Sequence, residues 1–399
     1  VADADLVASL RQAGVNRGDL VGLVVSPALG FGLAAANRSW TVPCDAAEVG
    51  RADEALRPRW VTWSGQAAAR LAAAGVRLAM CWDIAAVHRL LFGGWRADPG
   101  WAWARLRGLD PGTLPASGPP DLFGMDEGDG ADPIAPDGHL RPAWVSGGWA
   151  DRPDRIARWA GLALTAAGLQ RQALAGLGDR PMALPTAHAE STAELLCAEL
   201  SADGLPMDRA VAERVLTSLI GPRPRSEAEA VSLRAARDAE VLRHLPAGVT
   251  ADLRSTAQVR TLLSRLGLDV PDTRASRLRE LRDAHPIVGA LLEWRKAERF
   301  ATTYGYAWLD QCLGPDGRLR GAWTGSDGAA GRMTASAGLH NMPAALRPAV
   351  VAAEGYVFVR ADLGQIEPRV LAAVTGDPAL TAATRADDLY APVAAQLGV

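Results

Sequence analysis

The hydrophobic period of this 399-residue chain changes along its length, and that change commits it to more than one architecture. From residue 1 to about residue 105, short apolar runs alternate with longer helical patterns. "LVGLVVS" (Leu20–Ser26) and "RWVTWS" (Arg59–Ser64) read as strands; "GQAAARLAAAG" (Gly65–Gly75) and "CWDIAAVHRLLF" (Cys81–Phe92) read as helices. Such alternation predicts an α/β unit. The stretch from Leu114 to Arg141, rich in Pro, Gly and Asp, reads as a loose acidic surface loop. "ARWAGLALTAAGLQRQALAGL" (Ala157–Leu177) then predicts a helix, and residues 190 to 300 read as helical almost throughout. Within them, Ala228, Val231, Leu233, Ala235, Ala239, Leu242 and Leu245 form one broad apolar face. Ser226 is placed to cap that helix, with Glu229 completing a capping box.

Composition excludes several classes. A formal net charge of −3 argues against a uniformly basic nucleic-acid binder. The charge is uneven, however: between Leu205 and Phe300 there are 17 Lys and Arg against 13 Asp and Glu, a net of +4. Lys296 is the only lysine, so arginine usage reflects a high-GC coding bias as readily as phosphate binding. The four cysteines (Cys44, Cys81, Cys197, Cys312) form no CxxC and suggest neither a zinc site nor a disulfide framework. No run is long enough to span a bilayer, and the start lacks a basic n-region, which predicts a soluble, cytoplasmic chain. The scattered histidines suggest no metal cluster. Tryptophans crowd the N-terminal block (Trp60, Trp63, Trp82, Trp95, Trp101, Trp103), where core packing explains them.

One run places a carboxylate deliberately. Tyr356 to Ala361 reads as a short strand, Asp362 falls at its end, and Gly364 allows a turn. Ile366, Val370, Leu371 and Val374 follow at helical spacing, and Gly376 ends the helix. Pro368 fits because it lies in the first turn. A carboxylate at a strand end suits a hard cation such as Mg²⁺.

The run "DLGQIEPR" (Asp362–Arg369) resembles motif A of the family A (DNA polymerase I type) DNA polymerases, usually DYSQIELR. "GRMTASAGLHNMP" (Gly331–Pro343) resembles the GRLSSSDPNLQNIP segment before motif A. "HPIVGALLEWRKAERFATTY" (His285–Tyr304) looks like the thumb-to-palm helix, and "LRSTAQVRTLLSRLGL" (Leu253–Leu268) like the LNSPKQL…LG segment. "ELSADGLPMDR" (Glu199–Arg209) is similar to the EetGvkvD element. All occur in the family's order. The resemblance implies that Asp362 is the first of two catalytic aspartates, with the Leu363 carbonyl also facing the metal. It implies nucleotide contacts for Leu363, Gln365, Glu367 (the steric gate) and Tyr390. Arg299, Thr303, Arg332, His340, Asn341 and Arg369 would contact primer–template DNA. Departures are present: Leu363 and Gly364 replace Tyr-Ser, Pro368 replaces Leu, and Tyr390 stands where His is usual.

The fold class implied is α/β and α+β multidomain. A degenerate RNase H-like 3′–5′ exonuclease domain (1–180, with the acidic loop 114–141) precedes a helical thumb (181–300) and a partial palm with motif A and the start of the fingers (301–399). In the exonuclease-like block the acids needed for two-metal hydrolysis are missing near "GLVVSPALGFGL", "TWSGQAAARL" and "RWAGLAL"; only Asp83 matches. The expected function is DNA-directed DNA polymerisation in an intact parent, using a two-metal Mg²⁺ site that this chain leaves incomplete. Its partners are primer–template DNA and dNTPs, without a membrane, in a bacterial, nucleoid-associated setting. The absence of a Lys-bearing fingers helix and of a His-Asp-Glu turn reads as a truncated fragment. The alternatives are a non-catalytic primer–template binder and, last, an active exonuclease.

Overall fold

The computed structural model describes residues 5–36, 38–114, 132–246, 248–327, 331–391 and 394–395. Most of the predicted acidic loop, 115–131, lies outside them. The chain forms two compact units, Val1–Val350 and Val351–Val399.

In the larger unit, β1 (Leu20–Ser26), β2 (Gly30–Ala35), β3 (Arg38–Val42), β4 (Arg59–Thr62) and β5 (Cys81–Asp83) make one sheet in the order β3-β2-β1-β4-β5. β1, β2 and β3 pair antiparallel, whereas β1–β4 and β4–β5 are parallel. β1 is apolar on both faces because both are covered. Val21 and Leu23 enter one core with α1 (Leu6–Gln12), α2 (Ala46–Leu56) and α3 (Gln66–Ala73); Val24 enters the other with α4 (Ile84–Phe92), α5 (Pro99–Arg107), α6 (Pro142–Val145) and α7 (Pro153–Ala175). α7 lies almost in contact with the sheet backbone. A Cβ on Gly22 would meet the Ala160 carbonyl oxygen at 2.4 Å, and one on Gly32 would meet Ile156 at 2.5 Å.

Cys81 to Asp83 is a strand, although the sequence pattern reads as helix from Cys81. The parallel pairing Trp60↔Cys81 claims these residues, and Asp83 then caps α4, accepting from the Ala86 amide at 2.8 Å. Trp60 and Trp82 are fully buried as expected, but Trp95 is 87% exposed and plays no part in the core.

α8 (Ala183–Asp203) also covers the sheet, contributing Leu195 and Ala198 to the α1–α3 core. β6 (Leu205–Pro206) and β7 (Arg318–Leu319) pair as a short ribbon. Between them run α9 (Arg209–Ile220), α10 (Glu227–Leu242), α11 (Thr256–Arg265), α12 (Ala275–Glu280), α13 (Pro286–Thr303) and α14 (Tyr306–Cys312). α13 joins two cores: Ile287, Leu291 and Trp294 pack with α10–α12, and Phe300 packs with α9 and α14. The broad apolar face expected on α10 is mostly solvated. Only Val241 is buried and Val231 is 52% exposed, because α10 meets its neighbours along a narrow seam. Ser226 caps α10 as predicted, but Glu229 reaches the Arg225 amide at 2.7 Å, one residue before the expected partner.

A hairpin of β8 (Trp323–Asp327) and β9 (Arg332–Ala335) follows, with one turn of 3-10 helix at Leu339–Asn341. The smaller unit holds α15 (Ile366–Thr375) and α16 (Pro378–Ala383). No helix among the described residues is long and apolar enough to cross a membrane.

Candidate nucleic-acid interface

α13 starts where His285 caps it, the ring Nδ1 accepting from the Ile287 amide at 3.1 Å, with Pro286 at the first position. Positions 295, 299 and 302 fall on one stripe of this helix. Arg295, Arg299 and Thr302 line a hollow of about 810 Å³ with Thr256 and Arg260 of α11 and with Arg254. α11 points its first turn into this hollow, Ser255 accepting from the Gln258 amide at 3.4 Å, so an anion would meet a helix N-terminus and a guanidinium together. Not every cation here is available. Arg254 is held by Asp238 and Glu298, each at 2.8 Å, and that pairing raises its pKa. Arg295 donates to Thr273, and burial lowers its pKa. Arg260 and Arg299 are exposed and make no ion pair among the described residues. Lys296 sits on a different stripe and lines a separate groove with Glu293 and Glu240.

The end of α13 is fastened to the next predicted segment. Thr303 is exposed in the last turn, and Tyr304 after it is 2% exposed, its hydroxyl donating to the Asn341 carbonyl oxygen at 3.0 Å. Trp308 donates to the Ala337 carbonyl at 2.8 Å. These bonds hold the turn carrying His340 and Asn341. His340 in turn accepts from the Ala335 amide at 3.2 Å, which ties the turn to β9, whose first residue is Arg332. Arg332, His340 and Asn341 are all exposed. The structure therefore gathers Arg332, His340 and Asn341 on one framework and Arg299 and Thr303 on the helix that anchors it. Tyr304 and Arg260 were not singled out from sequence. Tyr304 could have been, as the aromatic residue directly after the helix.

In the smaller unit the expected strand Tyr356–Ala361 is not formed. Among the described residues of 351–399 no second strand is present to pair with it, and Tyr356, Val357, Phe358 and Val359 are 55–89% exposed. A lone extended segment has nowhere to send its hydrogen bonds but water. The helix after the turn forms as predicted, ending on Gly376 at φ +64°, and Gln365 precedes it at φ +53°. Its apolar positions Ile366, Val370, Leu371 and Val374 remain 42–78% exposed. Gln365 bridges to the following segment, donating to Asp388 at 2.6 Å and accepting from the Leu389 amide at 2.7 Å. Arg369 donates to the carbonyls of Gly364 and Thr384 at 3.0 and 2.6 Å. Asp362, Leu363 and Glu367 are exposed on this framework, and Tyr390 is 54% exposed. Among the described residues no three His, Cys, Asp or Glu side chains come together to hold a metal ion. One carboxylate and one carbonyl do not make a two-metal site, so the residues described here do not fit a bound ion pair.

Residues 227–399 match the sequence model for DNA polymerase family A. Over 216 residues, half of this chain, the sequence is 30% identical to the thermostable DNA polymerase I of Thermus aquaticus, covering 23% of that protein. It is 33% identical over 137 residues to DNA polymerase I of Deinococcus radiodurans, 31% of this chain and 14% of that one. Across residues 227–399 the chain is similar to DNA polymerase family A. Its matched stretches span about a quarter or less of these relatives' length. The fold is shared more widely. A solved structure described as the POL domain of Pol1 from M. smegmatis, in complex with DNA primer-template and dNTP, superposes with a TM-score of 0.59 at 20% identity, covering 97% of this chain and 65% of that one.

On the N-terminal sheet, Val25, Trp63 and Trp159 line one small hollow. Trp63 and Trp159 stack at 4.7 Å, and Trp149 stacks on Trp159 at 6.2 Å, leaving a hollow of only about 80 Å³. Asp83 is elsewhere in the core, 2% exposed; burial and nearby Glu194 push its pKa to about 7. Its work is to cap α4.

Proposed function

We propose that this chain supplies primer–template binding and the first metal-site carboxylate of a DNA-directed DNA polymerase. The observation that carries the reading is the Tyr304 anchorage. It joins a helix exposing Arg299 and Thr303 to a framework exposing Arg332, His340 and Asn341, the residues that the family resemblance assigns to DNA. Arg260, Arg299 and the α11 N-terminus suit phosphates, which fix register without reading sequence. Arg332 suits the minor groove, where every correct pair offers an acceptor at a similar place. Asp362, with the Leu363 carbonyl, is assigned to a divalent cation, Mg²⁺ by its preference for hard oxygen ligands. That ion pair needs a second carboxylate, which the described residues do not place beside it. Glu367 is assigned to excluding a ribose 2′-OH, Gln365 and Tyr390 to the incoming nucleotide, and Arg369 to the DNA.

By topology we read the N-terminal sheet as an RNase H-like domain kept as a platform, its catalytic corner filled by the tryptophan stack. The 181–300 helices correspond to a thumb and 301–399 to part of a palm. Fluorescence anisotropy with a labelled primer–template tests binding by this chain. Primer extension by the polypeptide carrying these residues, with and without Asp362→Ala, tests chemistry. Equal incorporation by both would remove Asp362 from its role. Tight binding without incorporation in any context would leave a DNA-binding protein.

A further inference from the structure

Two strands alone are marginally stable in water, so the hairpin that carries Arg332 depends on what it is fastened to. The fastening comes from α8, a helix of the N-terminal layer. One stripe of α8 faces the sheet: Leu195 and Ala198 enter its core, and Ser191 accepts from the Asp83 amide at 3.1 Å. A second stripe, Glu194 and Ser201, seven residues apart and hence on one face, meets β8. Ser201 accepts from the Trp323 amide at 2.9 Å. The Glu194 carboxylate accepts from the Gly325 amide and from Arg89 of α4, the two side chains being 13% and 20% exposed.

Gly325 is where the ladder is irregular. Trp323↔Ala335 and Thr324↔Thr334 pair in step, but the next pair is Asp327↔Arg332. Gly325 and Ser326 therefore oppose Met333 alone, a β-bulge, which is a device for re-aiming a side chain. A Cβ on residue 325 would lie 3.1 Å from Glu194 Oε1, so glycine is what lets the carboxylate reach this backbone.

We propose that Glu194 is a positioning residue: by pinning Gly325 it fixes the bulge, and with it the register in which β9 presents Arg332 to DNA. The functional half of this proposal rests on the assignment of Arg332 to the primer end. Without the carboxylate, the Gly325 amide and Arg89 both lose an acceptor, and an in-step ladder that re-aims Arg332 becomes competitive.

The test uses the whole 399-residue chain, a labelled primer–template and hydrogen exchange across 320–336. Glu194→Ala should weaken binding about tenfold, the worth of one charge-assisted hydrogen bond. Arg332→Ala should do about the same, and the double variant should be no weaker than the worse single, because both act through one contact. Glu194→Gln should recover most of the affinity, since its amide oxygen still accepts from Gly325. Gly325→Ala, which keeps the Arg89–Glu194 pair, should behave like Glu194→Ala and stands in if that variant does not fold. Exchange in β8 and β9 should quicken in Glu194→Ala and Gly325→Ala but not in Arg332→Ala. Additive losses, or unchanged hairpin exchange in both pinning variants, would overturn the proposal. Wild-type binding by Arg332→Ala would instead remove the assignment of Arg332, while the exchange data still decide whether Glu194 holds the hairpin.

Discussion

Tyr304 closes α13 onto the turn that carries Asn341, its hydroxyl donating to the Asn341 carbonyl oxygen at 3.0 Å while its ring is 2% exposed. Removing that hydroxyl leaves the ring packed between Phe300 and Trp308 but frees the turn. Tyr304→Phe should therefore cost roughly 1 kcal/mol in urea unfolding, the net worth of one neutral hydrogen bond. It should also weaken primer–template binding several-fold, since His340 and Asn341 sit on the freed turn. Unchanged affinity alongside lowered stability would mean that the turn does not meet DNA.

On the proposed reading, one stripe of α13 meets phosphate and the other carries ordinary surface charge. Arg299→Ala should reduce the slope of log K against log salt by about 1, the signature of one lost phosphate contact. Lys296→Ala, on the stripe facing the other groove, should leave the slope unchanged. Equal effects would show that general charge, rather than the hollow lined by Arg260 and Arg299, attracts the DNA.

How much of this was legible in sequence depended on whether a pattern met its partner locally or across the fold. β1, α3, α7 and α13 were readable because period and end signals coincide within a few residues. The strand that ends on Asp83 was not, because it exists only through pairing with β4, and the helical pattern that follows masked the boundary. Tyr356–Ala361 has strand composition but no ladder to join among the described residues of 351–399, so β propensity alone leaves it extended and solvated. The run Asp362–Arg369 reads as a set only through its resemblance to motif A. The intrachain bonds of Gln365 and Arg369 to 384–389, however, could not be inferred from their spacing.

Gln365 and Arg369 make a local prediction. Arg369→Ala frees the carbonyls of Gly364 and Thr384, and exposed carbonyls re-solvate cheaply, so overall stability should change by less than about 1 kcal/mol. Hydrogen exchange in 384–390 should nevertheless quicken, while α9 and α13 stay as protected as in wild type. Unchanged exchange would mean that Gln365 alone holds the segment.

His88 is fully buried with neither ring nitrogen hydrogen-bonded among the described residues, and burial together with Arg105 and Arg89 lowers its pKa to about 4. With the folded value below the unfolded one, its neutral form supports the fold above pH 6.5, and that support drains as pH falls toward 4. His88→Leu should remove this acid sensitivity and stabilise by roughly 1 kcal/mol even at pH 8, because two unsatisfied polar atoms leave the core. A less stable variant at pH 8 would show that the ring has a partner.

Asp83 gives the opposite pH dependence. Its carboxyl is raised from 3.8 to about 7 by burial and by Glu194, so the folded state binds the proton more tightly than the unfolded chain does. Stability from this group is fully present below pH 3.8 and is lost progressively as pH rises through about 7, where the buried carboxyl must ionise. Asn at this position keeps an oxygen for the Ala86 amide and never ionises. Asp83→Asn should thus match wild type near pH 3 and gain an advantage as pH rises. Above pH 7 that advantage should level off at on the order of 4 kcal/mol. Thermal melts across that pH range measure it directly. A wild type that outlasts the variant at pH 8 would mean that the Asp83 charge is stabilised, leaving open a role for it beyond capping α4.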